Sequence, residues 1–271
     1  MTPTQNLGSP QHLLAARSNA HAAAQFLYRA AAANNAPMPG DEHSNLGWVS
    51  AGQTFQTRPL AGTDKVAGLR LSPLELAFDG ATCKLDGKSP INAMDWLDAE
   101  LVRAGLTPGS SVEVTYDLPG AVSMLERFSD TEELAQLSAW FDLAARALSK
   151  LLSDLTNLSP GPSEVRCWPH HFDIATYVGL EDGDPEKARG IGVGMSPGDG
   201  SYNQPYFYVN AWPHLDPDRL PPPIPPGHWH TEGFVGLIAT SHAISSKKDA
   251  EPTVQAFLSH GFSASQTALG F

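Results

Sequence analysis

Residues 205 to 213 read P-Y-F-Y-V-N-A-W-P, and a period of two divides them into two chemically distinct sets. Successive side chains of a strand point to opposite faces, so Tyr206, Tyr208, Asn210 and Trp212 share one face, and Phe207, Val209 and Ala211 share the other. The aliphatic and phenyl face belongs to a core. The Tyr/Tyr/Asn/Trp face suits either cross-strand aromatic packing or the wall of a small-molecule pocket, where rigid rings supply area and polar tips supply direction.

Such a strand requires a sheet, and other segments repeat the strand signature. G-W-V-S-A-G-Q-T-F-Q-T, G-L-R-L-S and E-L-A-F between residues 46 and 86 are short stretches broken by Gly, Pro and Asp, as antiparallel strands are. Further strands are expected at 164 to 178, 189 to 195, 205 to 212 and 228 to 241. Helical periodicity separates these groups. A first helix begins at Ser9-Pro10 and stops near Asn34-Asn35, with Leu13, Ala20, Ala24, Leu27 and Ala31 on one face. A second starts at Ser89-Pro90 and closes with a left-handed cap at Gly105-Leu106. A third opens at Asp130 with Glu133 and carries the stripe Leu134, Leu137, Phe141, Leu148, Leu151 and Leu155. The last starts near Asp249 with Val254, Phe257 and Leu258 inward.

The order helix, strands, helix occurs twice. Trp48 matches Trp168, and K-V-A-G-L-R-L before Ser72-Pro73 resembles K-A-R-G-I-G-V before Ser196-Pro197. The expected architecture is α+β, two similar helix/antiparallel-sheet/helix halves packed as one unit, with 1-120 the first half and 121-271 the second, which carries the candidate site. Between Pro213 and Gly227, P-H-L-D-P-D-R-L-P-P-P-I-P-P-G can be neither helix nor central strand, so it is a long stiff loop, a lid or a strap.

Composition narrows the partners. At 41% hydrophobic and 17% charged residues the chain is an ordinary globular one. Seventeen basic against twenty-nine acidic residues leave a net charge of -12, which repels a phosphate backbone, and Lys247-Lys248 beside Asp249 and Glu251 reads as a solvated loop. Nucleic acid is therefore not expected as a partner. Arg17, Asn19, His21, Gln25 and Arg29 interrupt the alanine-rich start, so neither a signal peptide nor a membrane span can be drawn. Cys83 and Cys167 lack a C-x-x-C spacing and are too few for a disulfide framework, which fits a reducing, cytoplasmic location.

Two histidine-rich stretches carry the candidate chemistry. In G-H-W-H-T-E-G, strand alternation puts His228, His230 and Glu232 on one face, the residue types of a three-ligand site for iron, zinc or manganese. In C-W-P-H-H-F-D-I-A, the same alternation puts His171 and Asp173 together, where the carboxylate orients the histidine as a general base or completes a metal shell. A half-exposed strand with a hydrogen-bonded His-Asp pair has the same pattern. Two other motifs fail on context. G-I-G-V-G alternates within a strand with no helix to follow, so Gly190, Gly192 and Gly194 read as clearance for aromatic neighbours. G-M-S-P-G matches a hydrolase elbow around Ser196, but a turn follows instead of the required helix.

The order W-P-H-H-F-D-I-A, G-V-G-M-S-P-G-D, Q-P-Y-F-Y-V-N-A-W-P, over residues 164 to 215, resembles a group of bacterial proteins that carry W-P-x-H-F-D-L-A and then S-P-G-D before P-Y-x-Y-V. More distantly it is similar to the bacterial family of domain of unknown function five-nine-nine-six, which shows F-D-L-A after a tryptophan. The resemblance implies kinship and assigns no activity or cofactor. It puts His171, Phe172, Asp173, Ser196, Pro197, Gly198 and Asp199 on family-like positions, and His228 and His230 outside its pattern. Two functions are expected to compete. One is a small-molecule enzyme, divalent-metal dependent, with His228, His230 and Glu232 as ligands, His171 and Asp173 as the base pair, and Tyr206, Tyr208, Asn210 and Trp212 lining the cleft. The other is a non-catalytic small-molecule-binding or interaction protein built from the same residues.

Overall fold

The computed structural model describes residues 7, 13–183, 187–247 and 249–271. The elements are α1 (Leu14–Asn34), β1 (Gly47–Val49), β2 (Thr54–Gln56), β3 (Ala67–Arg70), β4 (Glu75–Phe78), β5 (Ala81–Lys84), α2 (Pro90–Arg103), α3 (Gly120–Ser123), α4 (Glu132–Asp154), β6 (Gly161–Pro162), β7 (Arg166–Trp168), β8 (Asp173–Gly179), β9 (Gly190–Ser196), β10 (Tyr206–Trp212), β11 (His228–His230), β12 (Gly236–Thr240), α5 (Ser241–Ser245) and α6 (Ala250–Ala268). This is the expected α+β class, with antiparallel sheets. The chain divides into two units, Met1–Asp142 with Arg166–Phe172 and Leu143–Val165 with Asp173–Phe271, so α4 contributes to both.

In the first unit, β1 to β5 form a sequential antiparallel meander. The predicted face of α1, Leu13, Ala20, Ala24, Leu27 and Ala31, is buried, and the helix ends at Asn34. Its expected start at Ser9-Pro10 lies outside the described residues. At α2 both predicted caps form. Ser89 accepts the Asn92 N–H at 3.2 Å with Pro90 in the first turn. At the other end Gly105 has φ +79°, and the Gly105 and Leu106 amides donate to the carbonyls of Val102 and Leu101, a Schellman closure. α4 starts at Glu132, and Asp130 turns its carboxylate to the Leu74 N–H instead of capping the helix. Trp48 and Trp168, matched in sequence, both belong to this unit, where Leu46 and Cys167 form an antiparallel bridge.

The strand expected over 164 to 178 is interrupted. β7 ends at Trp168, and Pro169 to Phe172 form a turn closed by the Phe172 N–H donating to the Trp168 carbonyl at 2.7 Å, with Phe172 at φ +58°. A left-handed residue reverses the chain, so alternation cannot be carried from His171 into β8. His171 is an exposed turn residue of the first unit, and Asp173 begins the second.

The second unit is built on strands in the order β11-β12-β10-β9-β8-β6. Phe207, Val209, Ile191, Val193, Met195, Leu237 and Ala239 are buried on one face of this sheet. α6 packs there with Val254, Phe257, Leu258 and Phe262, and comes close because a Cβ at Gly261 would already touch Val209 and Leu237. Fully burying each such side chain contributes about 1.5–3 kcal/mol, which fixes which face points away from α6. Arg146 of α4 and Glu251 of α6 pair at 3.0 Å in the same unit.

Candidate functional site

Register places most of the candidate residues on one surface. Tyr208 pairs with Gly194 and Ile238, Ala175 with Gly194, His228 with Ile238 and His230 with Gly236. Directly opposed residues share a face, so Asp173, Ser196, Tyr206, Tyr208, Asn210, Trp212, His228 and His230 all stand on the face opposite α6. None of the residues that the register puts there is Lys or Arg.

Glycines make room for the large side chains of this face. A Cβ at Gly194 would lie 2.5 Å from the Tyr208 hydroxyl and 2.7 Å from the Ala175 Cβ. Gly190 likewise accommodates Tyr177, and Gly192 accommodates the Asn210 amide. The clearance reading therefore holds, with one amide among the aromatic neighbours. Each tyrosine of β10 is tied to a carboxylate. Tyr208 donates to Asp173 Oδ2, and Tyr206 donates to Asp199 Oδ2 at 2.6 Å. Burial, reinforced by the Asp199 hydrogen bond, pushes the Tyr206 phenol well above its usual range, so it remains a proton donor.

Asp199 does more than hold Tyr206. Its Oδ1 accepts the Ser201 and Tyr202 N–H groups at 2.8 and 3.0 Å, while its own N–H donates to the Tyr202 carbonyl at 2.7 Å. The S-P-G-D turn after β9 is thereby pinned to β10, and it presents Tyr202 to the two histidines. Ser196 ends β9 buried, its hydroxyl accepting the Gly198 N–H at 3.1 Å, and no helix follows.

The Tyr202 hydroxyl lies 3.0 Å from His228 Nε2 and 3.0 Å from His230 Nδ1. His230 Nε2 lies 2.6 Å from the Glu232 carbonyl oxygen. These contacts assign the protons. A carbonyl only accepts, so neutral His230 carries its proton on Nε2 and leaves Nδ1 bare. Tyr202 therefore donates to His230 Nδ1, and its oxygen accepts from His228 Nε2–H. The remaining lone pair, on His228 Nδ1, has no partner among the described residues, and His228 is exposed. Partial desolvation of the ring, with a smaller contribution from His230, holds the His228 pKa below its ordinary value, which favours this neutral form. Burial, then Asp199 and Glu232, raise that of Tyr202.

The alternation on which the metal expectation rests stops short of its third ligand. β11 ends at His230, and Glu232 sits in the turn before Gly233 at φ +85°, so strand alternation stops before it reaches the third ligand. Glu232 contributes its carbonyl to His230, and the two histidines converge on a tyrosine oxygen. Among the described residues, no three His, Cys, Asp or Glu side chains gather as a metal-ligand group. Strand alternation therefore does not bring His228, His230 and Glu232 together as an iron, zinc or manganese site. The His171–Asp173 pairing loses its alternation basis for the reason given above, and the His171 ring instead neighbours His170 at 4.4 Å. Tyr202 is the residue that sequence reasoning missed. No protein-family description, curated protein or solved structure matches the chain.

Proposed function

We propose that the polar face of the second sheet binds a small polar molecule, uncharged or cationic, and that the protein is an enzyme using His228 as its general base. The supporting observation is the His228–Tyr202–His230 chain. A base needs a lone pair that a substrate can reach, a neutral resting state and a partner that holds its ring. His228 has all three. When Nδ1 takes a proton from the ligand or from a water beside it, the imidazolium already donates through Nε2 to Tyr202. That oxygen accepts more strongly because its own proton is shared with His230. Positioned bases of this kind contribute on the order of 10²–10⁴ in rate.

Tyr208, Asn210 and Trp212 serve as the wall on which the ligand lies. The Asp173 and Asp199 carboxylates, with no Lys or Arg among the described residues of β8 to β12 on that face, disfavour an anion. A net charge of -12 likewise argues against nucleic acid. The same reading includes kinship with the bacterial proteins of similar motif order and a cytoplasmic location, which the buried thiols of Cys83 and Cys167, neither in a disulfide, suit. Among the described residues no helix is long and apolar enough to cross a membrane. One observation favours a binding protein instead: both β10 tyrosine hydroxyls are already engaged by carboxylates and serve only as wall.

A thermal-shift screen of uncharged and cationic metabolites, followed by mass spectrometry of each hit in D₂O, tests the proposal. The expected result is a hit that gains deuterium or is hydrolysed, with loss of turnover in His228→Ala. A hit that binds both proteins equally and is never altered supports the binding reading. Hits indifferent to Trp212→Ala and Tyr208→Ala defeat both.

A further inference from the structure

Asn210 stands in the middle of the polar face with its carboxamide unused. Tyr202, Tyr206 and Tyr208 are each tied to a histidine or a carboxylate, but the Asn210 side chain makes no hydrogen bond among the described residues. The two ends of the amide differ in access. Oδ1 is fully buried and takes the space that a Cβ at Gly192 would need, while Nδ2 lies farther from that point, at 3.7 Å, and is not fully buried. A buried acceptor without a donor is costly, and no bond within the fold offsets it. Nδ2 is the end that a ligand can reach, and it can only donate.

The neighbours suit a flat ligand. Tyr208 and Trp212 flank Asn210 along β10, each about 7 Å away by the rise of a strand. Across the sheet its neighbour on β9 is Gly192, and on β12 a Cβ at Gly236 would lie 3.6 Å from the Asn210 Cβ. Phe234 leans over Gly236, its Cε2 3.2 Å from the same point, and its ring packs against His230 at 4.2 Å. Phe234 therefore adjoins both Asn210 and the His228–Tyr202–His230 chain.

We propose that Asn210 sets the chemistry of the ligand, its Nδ2–H donating to a carbonyl oxygen of an uncharged molecule that lies on Tyr208, Trp212 and Phe234. This rests on the polar face being the ligand site, and it narrows the ligand class to carbonyl compounds such as carboxamides. A simple amine has no acceptor for Nδ2. A carboxylate has one, but Asp173 and Asp199 oppose its charge. A carbonyl also suits His228, since proton exchange beside a carbonyl and hydrolysis at one are both reactions that a histidine base supports.

Two probes of similar shape test the assignment: benzamide, neutral with a carbonyl, and benzylamine, a cation with none. Each is titrated into the ¹⁵N-labelled full chain at constant ionic strength. Benzamide should give saturable shifts of the Asn210 side-chain NH₂ and the Trp212 indole N–H, and should bind more tightly than benzylamine. Asn210→Ala should weaken benzamide roughly three- to tenfold, the net effect of losing one neutral hydrogen bond, and leave benzylamine within about twofold. Asn210→Asp, nearly the same size, should invert the preference, because a carboxylate accepts from an ammonium and cannot donate to a carbonyl. Benzamide that shifts Trp212 but not the Asn210 amide, or a preference unchanged in Asn210→Asp, would overturn the role of Asn210 while leaving the polar face as the site. If neither probe perturbs Trp212 or Tyr208, the polar face is not the site, and the role of Asn210 falls with it.

Discussion

Gly194 stands directly across from Tyr208 in the β9–β10 ladder, and the space where its side chain would be is filled by the tyrosine hydroxyl. The opposite neighbour, the Ala175 Cβ, is fixed by β8 and cannot swing away. Gly194→Ala should therefore destabilise the protein by about 1–3 kcal/mol and displace Tyr208 from Asp173. At Gly190 the obstacle is Tyr177, which is 41% exposed and free to move outward, so Gly190→Ala should cost under about 1 kcal/mol. Urea denaturation of the two variants checks the difference, and equal costs would mean that the glycines are not clearance.

Asp199 joins three partners through one carboxylate. Asp199→Ala strands the Tyr206 hydroxyl, whose residue is only 5% exposed, and frees two backbone donors, for an expected loss of about 1–3 kcal/mol. Tyr206→Phe alone should cost less, because Asp199 keeps both N–H partners. A double-mutant cycle should show coupling of roughly 0.5 kcal/mol or more. Additive losses would mean that the Asp199–Tyr206 bond does not tie the turn to β10.

Acid sensitivity should come from a different histidine. His21 of α1 is 4% exposed, stacks on Phe172 at 5.0 Å and donates Nε2–H to the Pro169 carbonyl at 2.8 Å. Burial lowers its pKa from 6.5 to about 4. The unfolded chain then binds a proton that the folded one refuses. Stability is unaffected above pH 6.5 and falls as pH drops from 6.5 toward about 4, by about 3 kcal/mol in all. His21→Gln should flatten the pH dependence of unfolding free energy in that window; an unchanged slope would assign the acid sensitivity to other groups.

Much of the polar face is legible in sequence, because period two survives along β10, β9 and β11 and needs only correct register to bring Tyr208, Asn210 and His228 together. The legible part ends where alternation ends. Phe172 at φ +58° and the turn at Gly233 each break a strand that composition alone presents as continuous, so alternation cannot be carried from His171 to Asp173 or from His230 to Glu232. Tyr202 was hidden for another reason. It lies in a turn, and its place depends on one carboxylate folding back on the backbone, a tertiary fact for which D-G-S-Y is only a weak signal. Caps at Ser89 and Gly105 were readable because their partners lie within five residues.

Removing the Tyr202 hydroxyl isolates the two histidines. Tyr202→Phe should cost about 0.5–1.5 kcal/mol, the net value of a hydrogen bond, while removing the partner that orients His228. If an enzymatic substrate is found, its turnover should fall and the pH profile of the base should shift. Identical profiles would separate Tyr202 from the chemistry.

The ring tautomers of the two histidines report directly on the bonds to Tyr202. Long-range ¹H–¹⁵N spectra of the histidine rings should find His228 neutral with its proton on Nε2, and Tyr202→Phe should release His228 into a mixture of tautomers. His228 protonated on Nδ1 in the neutral wild-type protein, or unchanged by Tyr202→Phe, would contradict a base held by Tyr202 with its lone pair turned outward.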